Sequence, residues 1–93
     1  MYILEKSTRK NKKYMITTPY GKIHFGDSRY QDYTMHRNDE RKQNYIQRHK
    51  AREDWTDITT AGFWSYWMLW NRPTLSESIK DIEKTFNIKI KFI

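Results

Sequence analysis

The chain has 93 residues and no cysteine, so it can form neither a disulfide framework nor a cysteine-based zinc site, and its length predicts one domain over residues 1–93. Its apolar stretches are shorter than the roughly 20 residues of a membrane span, and its early charges do not fit a signal peptide. The formal net charge of +7 lies in the N-terminal half, because residues 1–52 carry +8 and residues 53–93 carry −1, which predicts a polyanionic partner on one side.

Three short strands are predicted in the N-terminal third. Residues 2–7 and 13–18 are rich in β-branched and aromatic side chains and flank a polar segment, which indicates a hairpin with a basic tip. A turn at residues 19–21 then leads into a third strand over residues 22–25. Residues 26–37 show no clear period and are predicted to form an ordered loop.

Three helices are predicted in the remainder. The first spans about residues 39 to 54 after Asn38, a residue that favours helix starts. The second spans about residues 61 to 71 and is apolar nearly all round, which is typical of the buried centre of a domain. The third runs to about Phe86, with Thr74 and Glu77 in the pattern of a capping box and Asn87 as its end.

Alternation of Ile88, Ile90 and Phe92 with lysines predicts a last strand with one buried face. We expect this strand to join the N-terminal hairpin and the short third strand in one sheet. The predicted fold class is therefore α+β, with a small antiparallel sheet packed on three helices.

Several short strings carry a family resemblance across about residues 14–86. They are KIHFGD at 22–27, DYTMH at 32–36, RK at 41–42, YIQRH at 45–49, EDW at 53–55, AGFWS at 61–65, LWN at 69–71 and PTL at 73–75. In combination they resemble a family of small uncharacterised proteins of nucleocytoplasmic large DNA viruses, with a related pattern in tailed phages. The resemblance implies a virus-encoded protein with a role in or near the particle, and it implies no activity.

Binding of nucleic acid or another polyanion is predicted from the basic hairpin tip and a basic stripe on the first helix. The residues are Arg9, Lys10, Lys12, Lys13, Arg41, Arg48 and Arg52. Such side chains neutralise phosphates, and Tyr14, Tyr30 or Tyr33 could stack on unpaired bases. No sequence-reading motif is present, so the binding would be non-specific. In the alternative interpretation, Arg41 and Arg48 pair with Asp27, Asp32 or Glu53.

Docking on a protein partner is predicted from the tryptophan-rich second helix. The aromatic side chains of so short a helix cannot all point into one core, so Trp64, Tyr66 and Trp70 are the predicted partner-binding residues. Alternatively, the sheet and the other two helices bury them all.

A metal-dependent nuclease is a third hypothesis. The residues of suitable type are His24, Asp27, Asp32, His36, His49 and Glu53. His49 and Glu53 are four residues apart on one helix face, a possible pair of metal ligands. Their spacing matches no catalytic motif, and Ser65 has no evident base, so we predict no catalytic residue, no metal and no cofactor.

The leading hypothesis from the sequence is a non-enzymatic, virus-encoded structural or assembly protein, a minor component of the virion or capsid. It would lie in the virion or in the cytoplasm of the infected cell, with other virion proteins or nucleic acid as partners. The alternative is a non-specific DNA- or RNA-binding accessory protein.

Overall fold

The computed structural model describes residues 1–93 as four strands and four α-helices, one of which continues as a π-helix. The strands are β1 (Tyr2–Lys6), β2 (Lys12–Thr18), β3 (Gly21–Asp27) and β4 (Ile90–Phe92). The helices are α1 (Tyr33–His36), α2 (Asp39–His49), α3 (Ala61–Trp64), the π-helix (Ser65–Leu69) and α4 (Leu75–Phe86). The α+β class predicted from the sequence is confirmed.

The four strands form one sheet in the order β3-β2-β1-β4. β1 pairs antiparallel with β2, and β2 pairs antiparallel with β3, as hairpin connections require. β4 runs parallel to β1, so the sheet is mixed and the predicted antiparallel sheet is wrong in this strand. Apolar alternation marks a strand but carries no information on its direction, which is set here by the path of the chain through α4.

The helix boundaries differ from the predicted ones where the chain turns early. α2 ends at His49 rather than at residue 54, and the amide of Arg52 then donates to the carbonyl of His49 in a tighter, three-residue turn. The predicted loop over residues 26–37 contains the short helix α1, whose first turn is capped by the side chain of Asp32. The predicted helix over residues 61–71 changes to π geometry at Ser65.

The capping predictions for α4 are confirmed. The hydroxyl of Thr74 accepts a hydrogen bond from the amide of Glu77 at 3.1 Å and donates one to its carboxylate at 3.0 Å. Asn87 ends the helix in the left-handed conformation, with φ of 54°.

One hydrophobic core joins the sheet to the helices. Its fully buried members are Leu4, Ile16, Phe25, Phe63, Trp64, Met68, Leu69 and Ile82. Sheet residues contribute one face of this core, and α3, the π-helix and α4 contribute the other. None of the helices is long and apolar enough to cross a membrane.

Candidate nucleic-acid interface

A cleft of about 470 Å³ opens between the end of β3, the C-terminal half of α2 and the π-helix. Its lining comes from five parts of the chain: residues 12–13, 25–27, 30–32, 45–53 and 61–70. These parts include Phe25, Gly26, Asp27, Asp32, Tyr45, Arg48, His49, Glu53, Ala61, Gly62, Ser65, Leu69 and Trp70. Most of the strings on which the family resemblance rests therefore meet at one place.

The wall at β3 depends on Gly26. This residue has φ of 78°, in the left-handed region that glycine adopts at little cost. A Cβ atom at this position would lie 2.7 Å from Cδ1 of Leu69 on the π-helix. The Phe25-Gly26-Asp27 segment thus places the sheet and the π-helix in direct contact at the bottom of the cleft.

The floor of the cleft is a stack of aromatic rings. Tyr45 and Trp70 lie face to face, with ring centroids 4.3 Å apart and an interplanar angle of 6°. The imidazole of His49 also stacks on Tyr45, at 4.2 Å. Burial raises the pKa of Tyr45, and the charge on Glu53 raises it further, so this phenol stays neutral at physiological pH.

A hydrogen bond from α2 to the segment after the π-helix holds this stack together. The ammonium group of Lys42, one turn before Tyr45, donates to the carbonyl of Asn71, next to Trp70, at 2.7 Å. Asn71 is in turn fixed by its amide, which donates to the carboxylate of Asp81 at 2.6 Å.

The loop that carries Glu53 is tied to the helices by two indole groups. The Nε1 of Trp64 donates to the carbonyl of Ile58, and the Nε1 of Trp67 donates to the carbonyl of Trp55, both at 2.8 Å. These buried contacts fix residues 55–58, so the preceding Glu53 is held at the side of the cleft.

Three side chains at the mouth of the cleft are exposed. Tyr30 is 69% exposed and lies in the turn that follows β3. Lys12 and Arg48 are also exposed, and neither forms a salt bridge with a carboxylate. Asp27 lies opposite Lys12 in the β2–β3 register, but its carboxylate forms a salt bridge with Arg29. This hydrogen bonding holds the pKa of Asp27 at about 2.

Two smaller cavities continue the cleft on either side. One, of about 390 Å³, shares Lys12, Lys13 and Asp32 with the cleft and extends to Lys6 and Thr34. The other cavity, of about 380 Å³, shares Tyr30, Gln31, Arg48 and Trp70 with the cleft. It extends to Arg41 and Asn44. The three cavities lie next to one another on the basic half of the molecule, and we call them together the basic groove.

A family model matches the N-terminal half of the chain. The model of a family of unknown function, DUF5754, matches residues 2–49. The chain belongs to this family. No curated protein and no solved structure matched the chain. The matched DUF5754 segment supplies Lys12, Tyr30, Tyr45 and Arg48 to the basic groove, and the following residues supply Glu53 and the π-helix wall.

The cations predicted from the sequence are only partly brought together in this DUF5754 member. Lys12, Arg41 and Arg48 line the basic groove, whereas Arg9, Lys10 and Arg52 are exposed outside it. The prediction for Lys13 as a phosphate contact is not supported. Its ammonium group pairs with Asp32, and the two side chains are only 12% and 3% exposed.

The alternative pairing predicted for the two arginines of α2 is wrong. Arg41 donates to the side-chain oxygen of Gln31 at 3.2 Å, and Arg48 has no acidic partner. The acids proposed for them have other neighbours, since Asp27 lies with Arg29 and Asp32 with Lys13.

The predicted partner-binding aromatic residues occupy three different environments. Trp64 is fully buried in the core, so its prediction as a docking residue is wrong. Tyr66 is half-buried and stacks on Trp55 at 4.2 Å, outside the basic groove. Trp70 is half-buried and lines the cleft.

The tyrosines predicted to stack on bases are also separated. Tyr30 remains exposed in the basic groove. Tyr33 is buried and donates its hydroxyl to Asp39 at 2.5 Å. Tyr14 is half-buried, packs on Phe25 in the sheet and lines the cavity of about 390 Å³. Tyr45 and Glu53 also line the cleft, and neither was predicted for nucleic-acid binding, since Glu53 was considered only as a possible metal ligand. Their occurrence in the family-like strings YIQRH and EDW was the signal that could have found them.

The residues considered for a metal site do not form one. Nδ1 of His49 and Oε1 of Glu53 are 3.7 Å apart, but no group of three His, Asp or Glu side chains is placed to hold a metal ion. His24 instead hydrogen bonds to Ser7 at 2.7 Å.

Proposed function

We propose that this protein is a non-enzymatic accessory protein that binds single-stranded nucleic acid along the basic groove. One observation carries the proposal: two exposed cations without acidic partners, Lys12 and Arg48, lie at the mouth of a cleft with stacked aromatic rings at its floor. Cations that follow a backbone, combined with aromatic surfaces for bases, are the two features by which proteins bind single strands without reading sequence motifs.

The shape of the site favours a single strand over a duplex. The exposed ring of Tyr30 lies at a concave cleft, and a duplex would keep its bases away from such a ring. The two flanking cavities allow the backbone to enter and leave, with Lys6 and Lys12 on one side and Arg41 on the other. The excess positive charge of residues 1–52 would attract the strand to this half of the molecule.

Fluorescence anisotropy with labelled oligonucleotides of about twelve nucleotides tests the proposal. We expect single-stranded oligonucleotides to bind more tightly than duplexes of equal length, with an affinity that falls as salt rises from about 50 to 200 mM. Substituting both Lys12→Ala and Arg48→Ala should reduce the slope of log affinity against log salt by about 1.4, or about 0.7 for each lost phosphate contact.

A double variant with the same charge change provides the control. Lys80 and Lys84 are exposed on α4 and lie outside the basic groove. Lys80→Ala together with Lys84→Ala should leave the slope nearly unchanged. An equal loss in both double variants would mean that only net charge matters, and no binding at low salt would overturn the proposed function.

Two tyrosines of nearly equal exposure allow the contribution of base stacking to be distinguished from that of charge. Tyr30, at 69% exposure, lies in the basic groove, whereas Tyr20, at 71% exposure, lies in the β2–β3 turn outside it. Tyr30→Ala should weaken binding roughly fivefold to hundredfold, the usual range for the loss of one base–aromatic stack. Tyr20→Ala should not weaken it, and equal effects would argue against a base at the cleft.

Assembly of a virus particle is a second candidate function, and it is compatible with the first. It is supported by the family-like strings and by the exposed apolar end of the sheet, where Phe92 of edge strand β4 is 51% exposed and Ile93 is 63% exposed. Mass spectrometry of stripped particles tests it. A chain that stays with the shell after nuclease treatment supports an assembly role, release with the genome supports nucleic-acid binding, and absence from particles contradicts the assembly role.

A further inference from the structure

Glu53 differs from the other carboxylates of the cleft in having no hydrogen-bond donor within the chain. Asp27 accepts from Arg29, and Asp32 accepts from Lys13 and Thr34. The atom that faces Glu53 is Nδ1 of His49 at 3.7 Å, beyond hydrogen-bond distance. The Glu53 side chain is only 27% exposed, so its carboxylate is a partly desolvated acceptor that a ligand could satisfy.

The position of this carboxylate is set by contact with Gly62 in α3. A Cβ atom at Gly62 would lie 1.4 Å from Oε2 of Glu53, so the acid fills the space that any other side chain would take. The following loop is anchored at Trp55 and Ile58 by the two indole hydrogen bonds. The carboxylate is therefore held against the wall of the cleft that also contains the Tyr45–Trp70 floor.

We propose that the cleft selects guanine, with Glu53 accepting hydrogen bonds from the base. This inference rests on the proposed function, because it assigns a base to the strand bound in the basic groove. Both faces of Tyr45 are already covered by His49 and Trp70, so the base would stack on the exposed ring of Tyr30 and present its Watson–Crick edge to the side of the cleft. Guanine is the base that offers two neighbouring donors there, N1–H and the N2 amino group, which match the two oxygens of a carboxylate.

The other bases fit this acceptor less well. Adenine and cytosine each offer an amino donor next to a ring nitrogen acceptor, and that acceptor would face the second carboxylate oxygen. Uracil and thymine place one N–H between two carbonyl oxygens, which would repel the acid. Glu53 would thus favour guanine by pairing with it and disfavour the remaining bases by repulsion.

The test compares strands of about twelve thymidines that carry one central guanine, adenine or cytosine, because a single guanine avoids guanine-rich secondary structure. The guanine strand should bind roughly fivefold to hundredfold more tightly than the others, the range expected from one good bidentate base contact. Glu53→Gln replaces one of the two anionic acceptors with an amide donor and should abolish this preference, with tighter binding of the all-thymidine strand because the repulsion between the carboxylate and thymine is lost.

Two further variants complete the experiment. Glu40→Gln makes the same change at an exposed site on α2 outside the basic groove, and it should retain the preference for guanine. Gly62→Ala displaces the Glu53 carboxylate and should also remove the preference, with little loss of stability because the displaced group is the end of a flexible side chain. If Gly62→Ala fails to fold, the Glu53→Gln variant still tests whether the preference for guanine depends on Glu53.

The outcomes separate the inference from the function on which it rests. Equal binding of all strands, or a guanine preference that survives in Glu53→Gln, overturns the role of Glu53 while nucleic-acid binding stands. A preference for adenine or cytosine overturns the assignment to guanine. Absence of binding by every strand overturns both proposals.

Discussion

The ammonium group of Lys13 and the carboxylate of Asp32 form an ion pair beneath the basic groove, at the junction of the central cleft and the cavity next to it. Asp32 also caps α1 by accepting from the amide of Thr34 at 2.9 Å. The pair therefore joins β2 to the loop that carries Tyr30. It also shields Lys13 from solvent, although in the sequence this lysine is one of several cations of the hairpin.

Breaking this pair should destabilise the fold. Lys13→Met keeps most of the length of the side chain but leaves Asp32 without its cation, and we expect the free energy of unfolding to fall by about 3 kcal/mol. Urea denaturation followed by tryptophan fluorescence measures the change. Lys10→Met, at the exposed hairpin tip, is the control and should stay within about 0.5 kcal/mol of the unsubstituted protein. Equal stabilities would mean that the ion pair is not maintained in solution.

Gly26 should be the glycine of the sheet that tolerates substitution least. Gly26→Ala places a Cβ atom in the left-handed region and 2.7 Å from Leu69, so we expect a loss of about 2 kcal/mol or more. Gly21→Ala also has positive φ, 127°, but meets no atom within 4 Å. Both substitutions carry a backbone cost, and Gly26→Ala adds the clash with Leu69, so it should have the lower midpoint in thermal denaturation. Equal midpoints would contradict close packing of β3 on the π-helix.

Trp64 should behave as a core residue and not as a docking residue. Trp64→Ala removes a fully buried indole and its hydrogen bond to Ile58, and the expected cost is about 3–5 kcal/mol. Calorimetry should show a lowered melting temperature. Binding of any partner should change only through the loss of folded protein. A variant of unchanged stability with weakened partner binding would restore Trp64 as a surface residue.

Stability should decrease when the pH falls below about 6.5, with a contribution from His36. Burial and the charge on Arg41 lower the pKa of His36, and its Nδ1 accepts from the amide of Asn38 at 3.0 Å. The unfolded chain therefore binds more protons than the folded one between the lowered folded pKa and the unfolded value, so stability rises with pH in that interval. Below the lowered pKa of folded His36, the loss of stability from its protonation is complete.

Unfolding curves at several pH values measure this effect. His36→Phe keeps a ring against Tyr33 and Trp70 but does not titrate, so it should flatten the pH profile near and below 6.5. His24, whose pKa is also lowered by burial, supplies a remaining slope of the same sign. An unchanged profile in His36→Phe would contradict the assignment to His36.

The local elements follow from the sequence because their signals are local. The hairpin, the Thr74–Glu77 capping box and the Asn87 helix end depend on residues a few positions apart, and all are found where they were predicted. The early end of α2 at His49 could not be predicted in the same way. It depends on the tight turn of Arg52 onto the His49 carbonyl and on hydrogen bonds that join the following loop to distant tryptophans.

The features of the candidate site also differ in whether they follow from the sequence or depend on the tertiary structure. By itself the sequence determined the α+β class and the excess of positive charge in the N-terminal half, since composition and short-range periodicity suffice for both. Only the tertiary structure decided which of these charges are free. A salt bridge or an aromatic stack is a contact between atoms far apart in the chain, so the pairing of Lys13 with Asp32 is not encoded by spacing. The same holds for the stacking of Tyr45 on Trp70 and for the contact of Glu53 with Gly62, and these contacts exist only once the core has brought β3, α2 and the π-helix together.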